Sequence, residues 1–229
     1  MTKALIVVTS TAQFAGRKQA TGVWLSEATH FHAVMREHGI DVDYVSPEGG
    51  YVPLDPGSIL PENLDDATWS FYSDDAYRQR YLANAMKPAD VNVADYDLIY
   101  FAGGHGTMWD FPGNKALAAI AQQIYANGGL VTAVCHGVVG LLPLVNPDGT
   151  AFIKDRKLTG FTNEEEAINK LTDAVPFLAE DALRKAGSDY SKAAAYTEHV
   201  VADGRLITGQ NPQSARGVAL KAIAALAKK

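Results

Sequence analysis

Ala4–Val8, Leu98–Phe101 and Leu130–Val134 are short segments that are apolar at nearly every position. A strand with one face in water alternates polar and apolar residues, whereas one covered on both faces reads as a continuous apolar run. Such runs demand helices above and below the sheet, and the intervening sequence supplies them. After the strand Lys3–Thr9, the stretch Thr21–His38 places Trp24, Ala28, Phe31 and Met35 three and four residues apart, and Gly39 ends it. Asp41–Ser46 reads as a second strand and Asp97–Phe101 as a third, and the helix Asn114–Asn127, closed by Gly128-Gly129, leads into Leu130–Val134. Parallel strands joined through helices cross over right-handedly. The expectation is an α/β fold: a doubly wound, mostly parallel sheet flanked by helices, flavodoxin-like, in one domain spanning residues 1–229.

From Pro47 to about Val91 the alternation breaks into Pro- and Gly-punctuated loops carrying Tyr51, Trp69, Phe71, Tyr72, Tyr77 and Tyr81. A structureless loop of that length is improbable, so residues 47–91 are expected to form a small inserted cap whose aromatics are its own core. Further on, Asn146-Pro147-Asp148-Gly149 is a turn signal. Glu164–Leu171 and Pro176–Ala186 read as helices, His199–Ala202 and Arg205–Thr208 as a hairpin turning at Asp203-Gly204, and Pro212–Lys228 as a closing helix.

The formal net charge of −6 comes from interspersed acidic and basic residues, so no basic footprint for nucleic acid or an anionic membrane is present. No stretch approaches the ~18 apolar residues of a membrane span, and Met1 leads directly into a strand rather than a signal-peptide core, so a cytoplasmic location is expected. The single cysteine, Cys135, excludes an internal disulfide and a thiolate-rich zinc site. That leaves core filler, an intermolecular partner or a nucleophile.

The surroundings of Cys135 favour the nucleophile. In Gly129–Val138 a buried strand runs into Cys135-His136-Gly137 and then a short apolar helix, Val138–Leu142. This is the layout of a nucleophile elbow, in which a tight turn lifts the reacting atom above the sheet and the next backbone N–H helps bind an oxyanion. The positive end of a helix behind the sulfur is expected to favour thiolate. The competing reading is a buried apolar cysteine at a strand end. The loop Phe101–Asp110 carries Gly103, Gly104 and Gly106 beside it, allowing close backbone approach to a ligand. Trp109 stands where a dinucleotide fingerprint needs glycine.

Glu27, three residues after Trp24, is either a boundary carboxylate or a buried acid sharing a proton with Cys135. Asn163 and Glu166 have the spacing of a capping box. His30 and His32 lie two apart on a helix and cannot share a face, and no convincing metal site is predicted.

Taken together, Thr21–Glu27, Phe101–Trp109, Ala133–Gly137, Gly160–Glu166 and Asp203–Pro212 resemble the ThiJ/PfpI superfamily, with its class I glutamine-amidotransferase-like fold, and within it the heat-shock chaperone and glyoxalase III branch. The resemblance implies Cys135 as nucleophile, His136 as triad histidine, Glu27 as the glutamate contacting the cysteine, and Glu166 as triad acid, with Glu164 and Glu165 as alternatives. It places the oxyanion hole at the backbone N–H groups of Gly104 and His136, and His105 and Trp109 on the pocket wall. The family's tail continues from Asn-Pro with a small residue and two serines, whereas here Gln213-Ser214-Ala215 follow.

The implied activity is that of a lyase: glutathione-independent conversion of methylglyoxal or a related 2-oxoaldehyde to a 2-hydroxy acid, through a hemithioacetal on Cys135. It needs no cofactor, and a homodimer is expected. Alternatives are a cysteine-dependent amidase, peptidase or deglycase, and a stress-related holdase chaperone or oxidation sensor.

Overall fold

The computed structural model describes residues 2–228. Its strands are β1 (Lys3–Val7), β2 (Asp41–Val45), β3 (Leu98–Phe101), β4 (Leu130–Val134), β5 (Lys157–Leu158), β6 (Asp189–Tyr190), β7 (Val200–Asp203) and β8 (Leu206–Gly209). Six of them form one sheet in the order β2-β1-β3-β4-β8-β7, parallel throughout except for the β7–β8 hairpin at one edge. β5 and β6 pair separately in parallel, and two residues each are too few for any periodicity to reveal.

The apolar runs face both ways. Ala4 and Ile6 of β1 and Leu98 and Tyr100 of β3 pack with helix α1 (Leu25–Glu37). Their neighbours Leu5, Val7, Ile99 and Phe101 pack on the opposite side. The remaining helices are α2 (Asp66–Tyr72), α3 (Asp75–Tyr77), α4 (Thr107–Asp110), α5 (Lys115–Ala126), α6 (Asn163–Ile168), α7 (Ala179–Lys185) and α8 (Ala215–Leu226). α8 joins α1 on the first face, and α5 and α7 cover the second. Phe31 of α1 stacks on Tyr100 with ring centroids 3.8 Å apart, and each such buried side chain contributes about 1.5–3 kcal/mol. The Tyr100 hydroxyl also donates to the Glu27 carbonyl (3.1 Å), fixing the first turn of α1 over β3.

That helix starts at Leu25 rather than Thr21, because extended backbone contacts occupy the residues before it. Val23 donates its N–H to Pro53 and accepts from Asp55, and Trp24 donates to Gly103. The second predicted helix of the C-terminal half likewise starts at Ala179 rather than Pro176. The hairpin turns at Gly204-Arg205, since Asp203 still pairs with Leu206.

Residues 47–91 form 3-10 turns, α2, α3 and a π-helical turn over Arg78–Leu82. Phe71, Tyr77 and Tyr81 surround His32 of α1 and Tyr44 of β2, so this segment's aromatics share the main core instead of forming their own. Tyr51 and Trp69 remain exposed. Among the described residues, no helix is long and apolar enough to cross a membrane.

Candidate active site

β4 delivers Cys135 at its C-terminal end, and the chain then turns at once. Cys135 has φ +55°, in the left-handed region that costs a side-chain-bearing residue about 1–2 kcal/mol. Gly137 permits the turn: a Cβ there would lie 2.3 Å from the Phe101 carbonyl oxygen. The following segment, Cys135–Leu141, is 3-10 helical rather than the separate helix Val138–Leu142 expected from the sequence.

The Cys135 Sγ lies 3.4 Å from Nδ1 of His136. On the other side of that ring, Nε2 lies 2.7 Å from Oε2 of Glu166, and Oε1 of Glu166 lies 2.8 Å from Nε2 of His105. Burial alone would raise the Glu166 carboxyl. The charge of His136 and hydrogen bonds from both histidines outweigh it and hold the group well below the usual carboxylate range. An ionised Glu166 accepts an N–H from each ring, which leaves the Nδ1 lone pair of His136 facing the sulfur. Burial and the neighbouring His105 push His136 below its ordinary value, with the Glu166 carboxylate opposing them.

Three adjacent glutamates left the triad acid open, and the contacts distinguish them. Glu164 is exposed. Glu165 is saturated: Oε1 accepts from the Tyr196 N–H, Gln210 and Asn211, and Oε2 accepts from Thr162. Only Glu166 points at the imidazoles. The capping box of α6 is accordingly Thr162 with Glu165, not Asn163 with Glu166, and the Asn163 amide instead donates to Asp181.

Glu27 reaches the sulfur from the first turn of α1. Its Oε2 accepts the Gly103 N–H at 2.6 Å, and a Cβ on Gly103 would lie 2.7 Å from that oxygen and 2.9 Å from the Cys135 Cβ. Burial raises the Glu27 carboxyl from 4.5 to about 8, with hydrogen bonds from Cys135 and Gly103 opposing it. The Cys135 thiol is pushed well above its ordinary value by burial and then by Glu27, although the His136 backbone N–H favours the thiolate. Burial thus opposes the thiolate expected from the helix terminus. Glu27 Oε1 has no hydrogen-bond partner among the described residues, and a carboxyl raised to about 8 holds its proton at pH 7.

A cavity of about 750 Å³ opens over Cys135, Gly104, His105 and His136, walled by Phe14, Trp24, Phe161 and Tyr196. Asp55, Glu62 and Asp65 lie on its lining, which includes no lysine or arginine among the described residues. The Gly104 N–H has no acceptor among the described residues, as an oxyanion donor requires. Trp109 does not line the cavity. It packs edge-on behind Phe14 (5.3 Å), and Phe14 takes the wall position, which no periodicity in Ser10–Lys18 could reveal. Pro212 and Gln213 reach the cavity, while Ser214 is tied to Asn211 and to the His199 N–H.

His105, His136 and Glu166 lie close enough together to hold a metal ion. Both Nε2 atoms are already matched one to one with the carboxylate oxygens, so an ion would displace both hydrogen bonds.

The model of the DJ-1/PfpI family matches residues 19–225. The chain belongs to the DJ-1/PfpI family. Among relatives, the glutathione-independent glyoxalase HSP31 of Saccharomyces cerevisiae is 36% identical over 214 residues, covering 90% of each chain. The crystal structure of glyoxalase III from Candida albicans superposes with a TM-score of 0.88 at 32% identity, covering 98% of this chain and 97% of that one. Rapid Encystment Protein 24 KDa of Francisella tularensis gives 0.94 at 42% identity, covering 99% of both. These findings bear out the superfamily and the mostly parallel flanked sheet expected from the sequence.

Proposed function

We propose that this DJ-1/PfpI protein is a glutathione-independent glyoxalase of the glyoxalase III type, using Cys135 to convert methylglyoxal or a related 2-oxoaldehyde to a 2-hydroxy acid. The observation that carries the reading is the placement of one buried thiol between a base, His136, and a carboxyl raised to about 8, Glu27. A group whose pKa lies near the working pH both takes and returns a proton efficiently. The names of the relatives in yeast and Candida support the substrate class.

His136 Nδ1 takes the thiol proton as Sγ bonds to the aldehyde carbon, and that proton passes to the aldehyde oxygen, giving a neutral hemithioacetal. Glu27, in its ionised form, removes the hydrogen of that carbon as a proton and returns it to the neighbouring carbon. The first carbon is thereby oxidised to a thioester while the second is reduced from ketone to alcohol. Water then attacks the thioester, the C–S bond breaks, and the thiol is restored. No external oxidant or reductant enters.

The N–H groups of Gly104 and His136 stabilise charge on oxygen at the first carbon, the term that is commonly largest in such sites. The oxidation-sensor alternative rests on a resting thiolate, which burial beside Glu27 opposes.

The test is methylglyoxal consumption without glutathione by wild type beside Cys135→Ser. Rapid turnover by wild type and none by the variant is expected. A variant as active as wild type would remove Cys135 from the chemistry.

A further inference from the structure

His136 is one of two imidazoles held by Glu166, and the reaction outlined above uses only that one. His105 donates Nε2–H to Oε1 of the same carboxylate, at 2.8 Å against 2.7 Å for His136. The two rings lie 4.2 Å apart, and His105 also packs against Phe14, with ring centroids 5.4 Å apart. Its Nδ1 has no protein partner among the described residues and keeps some solvent exposure, while the ring lines the cavity beside Gly104 and Cys135. One carboxylate thus fixes the tautomer of two histidines. Nδ1 of one faces the sulfur, and Nδ1 of the other is left free of protein partners among the described residues, in a ring that lines the cavity.

The rearrangement needs two such groups. Converting a hemithioacetal to a thioester moves one proton from carbon to carbon and a second from the first oxygen to the second oxygen. Glu27, beneath the sulfur, serves the carbons. His136 faces Sγ through the nitrogen that took the thiol proton.

We propose that His105 is the acid–base group for the substrate's oxygens. Resting on the glyoxalase reading, the assignment has His105 Nδ1 accept the proton of the first oxygen as the thioester C=O forms and deliver it to the second oxygen, which becomes the alcohol. The transfer is neutral overall, and the imidazole ends as it began. Glu166 stabilises the transient imidazolium as it does for His136.

The experiment uses His105→Gln and His105→Phe. The glutamine amide can retain the N–H donor to Glu166 but cannot carry a proton, whereas phenylalanine loses both functions. Each protein is assayed for lactate from methylglyoxal without glutathione, and for the rate of Cys135 alkylation by iodoacetamide across pH, which reads the thiol and His136 alone. The expected result for His105→Gln is a kcat lower by ~10²-fold or more with an unchanged alkylation profile. For His105→Phe, a shift of that profile is expected as well, because Glu166 loses an anchor.

Full lactate production by His105→Gln would overturn the assignment. So would a parallel loss of turnover and shift of alkylation in both variants, since His105 would then act only through Glu166. Lactate absent from the wild type itself would refute the glyoxalase reading, and this assignment with it.

Discussion

Replacing Glu27 by Gln should inactivate the protein and stabilise it at the same time. The side chain is fully buried, and its carboxyl is raised from 4.5 to about 8, mainly by burial. A folded-state pKa above the unfolded value means that the native state holds the proton longer. The stabilising effect of the protonated carboxyl is complete below pH 4.5 and is lost as pH rises towards 8. At about 1.4 kcal/mol per unit, burying this acid costs on the order of 3 kcal/mol at pH 7 and about 5 kcal/mol above pH 8.

Glutamine is isosteric, keeps an acceptor for the Gly103 N–H, and carries no charge at any pH. Its melting temperature should therefore match wild type near pH 4.5 and exceed it by on the order of 10 °C at pH 7, given roughly 2–4 °C per kcal/mol for a chain of this size. Turnover should fall by ~10²–10⁴-fold, the usual worth of a positioned acid–base group. Calorimetry from pH 4.5 to 9 beside a lactate assay reads both. A stability difference that stays constant with pH would refute the raised carboxyl. Turnover within roughly threefold of wild type would refute its catalytic role.

Three further outcomes follow from the same geometry. Glu166→Gln offers one oxygen and one amide in place of two acceptors, so one imidazole takes the wrong tautomer. The expected loss of kcat is ~10²-fold or more, with little change in KM. His32, buried among Phe71, Tyr77 and Tyr81 with Nδ1 unpartnered, is lowered from 6.5 to about 4 by burial and then by Arg36 and Arg80. The native state then resists protonation, so stability should fall by about 3 kcal/mol between pH 6.5 and 4, and urea unfolding of His32→Phe should show a shallower decline over that window. Glyoxylate, an anionic aldehyde, should show a kcat/KM well below that of methylglyoxal, since Asp55, Glu62 and Asp65 line the cavity and no lysine or arginine does among the described residues. Equal values in a side-by-side assay would contradict that electrostatic reading.

Much of this was legible in the sequence for identifiable reasons. The continuous apolar runs required a covered parallel sheet, and Ala133-Val134-Cys135-His136-Gly137 required a tight turn, at which even a Cβ on Gly137 would collide with the Phe101 carbonyl. The choice of Glu166 over Glu165 was not legible locally. It depends on Gln210, Asn211 and Tyr196 arriving from distant segments to saturate Glu165. Phe14 in the wall and Trp109 behind it depend on how the loop after β1 folds over α4, which leaves no periodic trace. A helix terminus favouring thiolate is visible in sequence, whereas the complete burial beside a second acid that opposes it is not, because Glu27 arrives from α1.

The most direct measurement of the central claim is the lactate formed from methylglyoxal in glutathione-free buffer by wild type and by Cys135→Ala. One lactate per methylglyoxal consumed by wild type, and none above background with Cys135→Ala, is the predicted result. Wild type that forms no lactate, or a Cys135→Ala protein that forms it at the wild-type rate, would contradict the account.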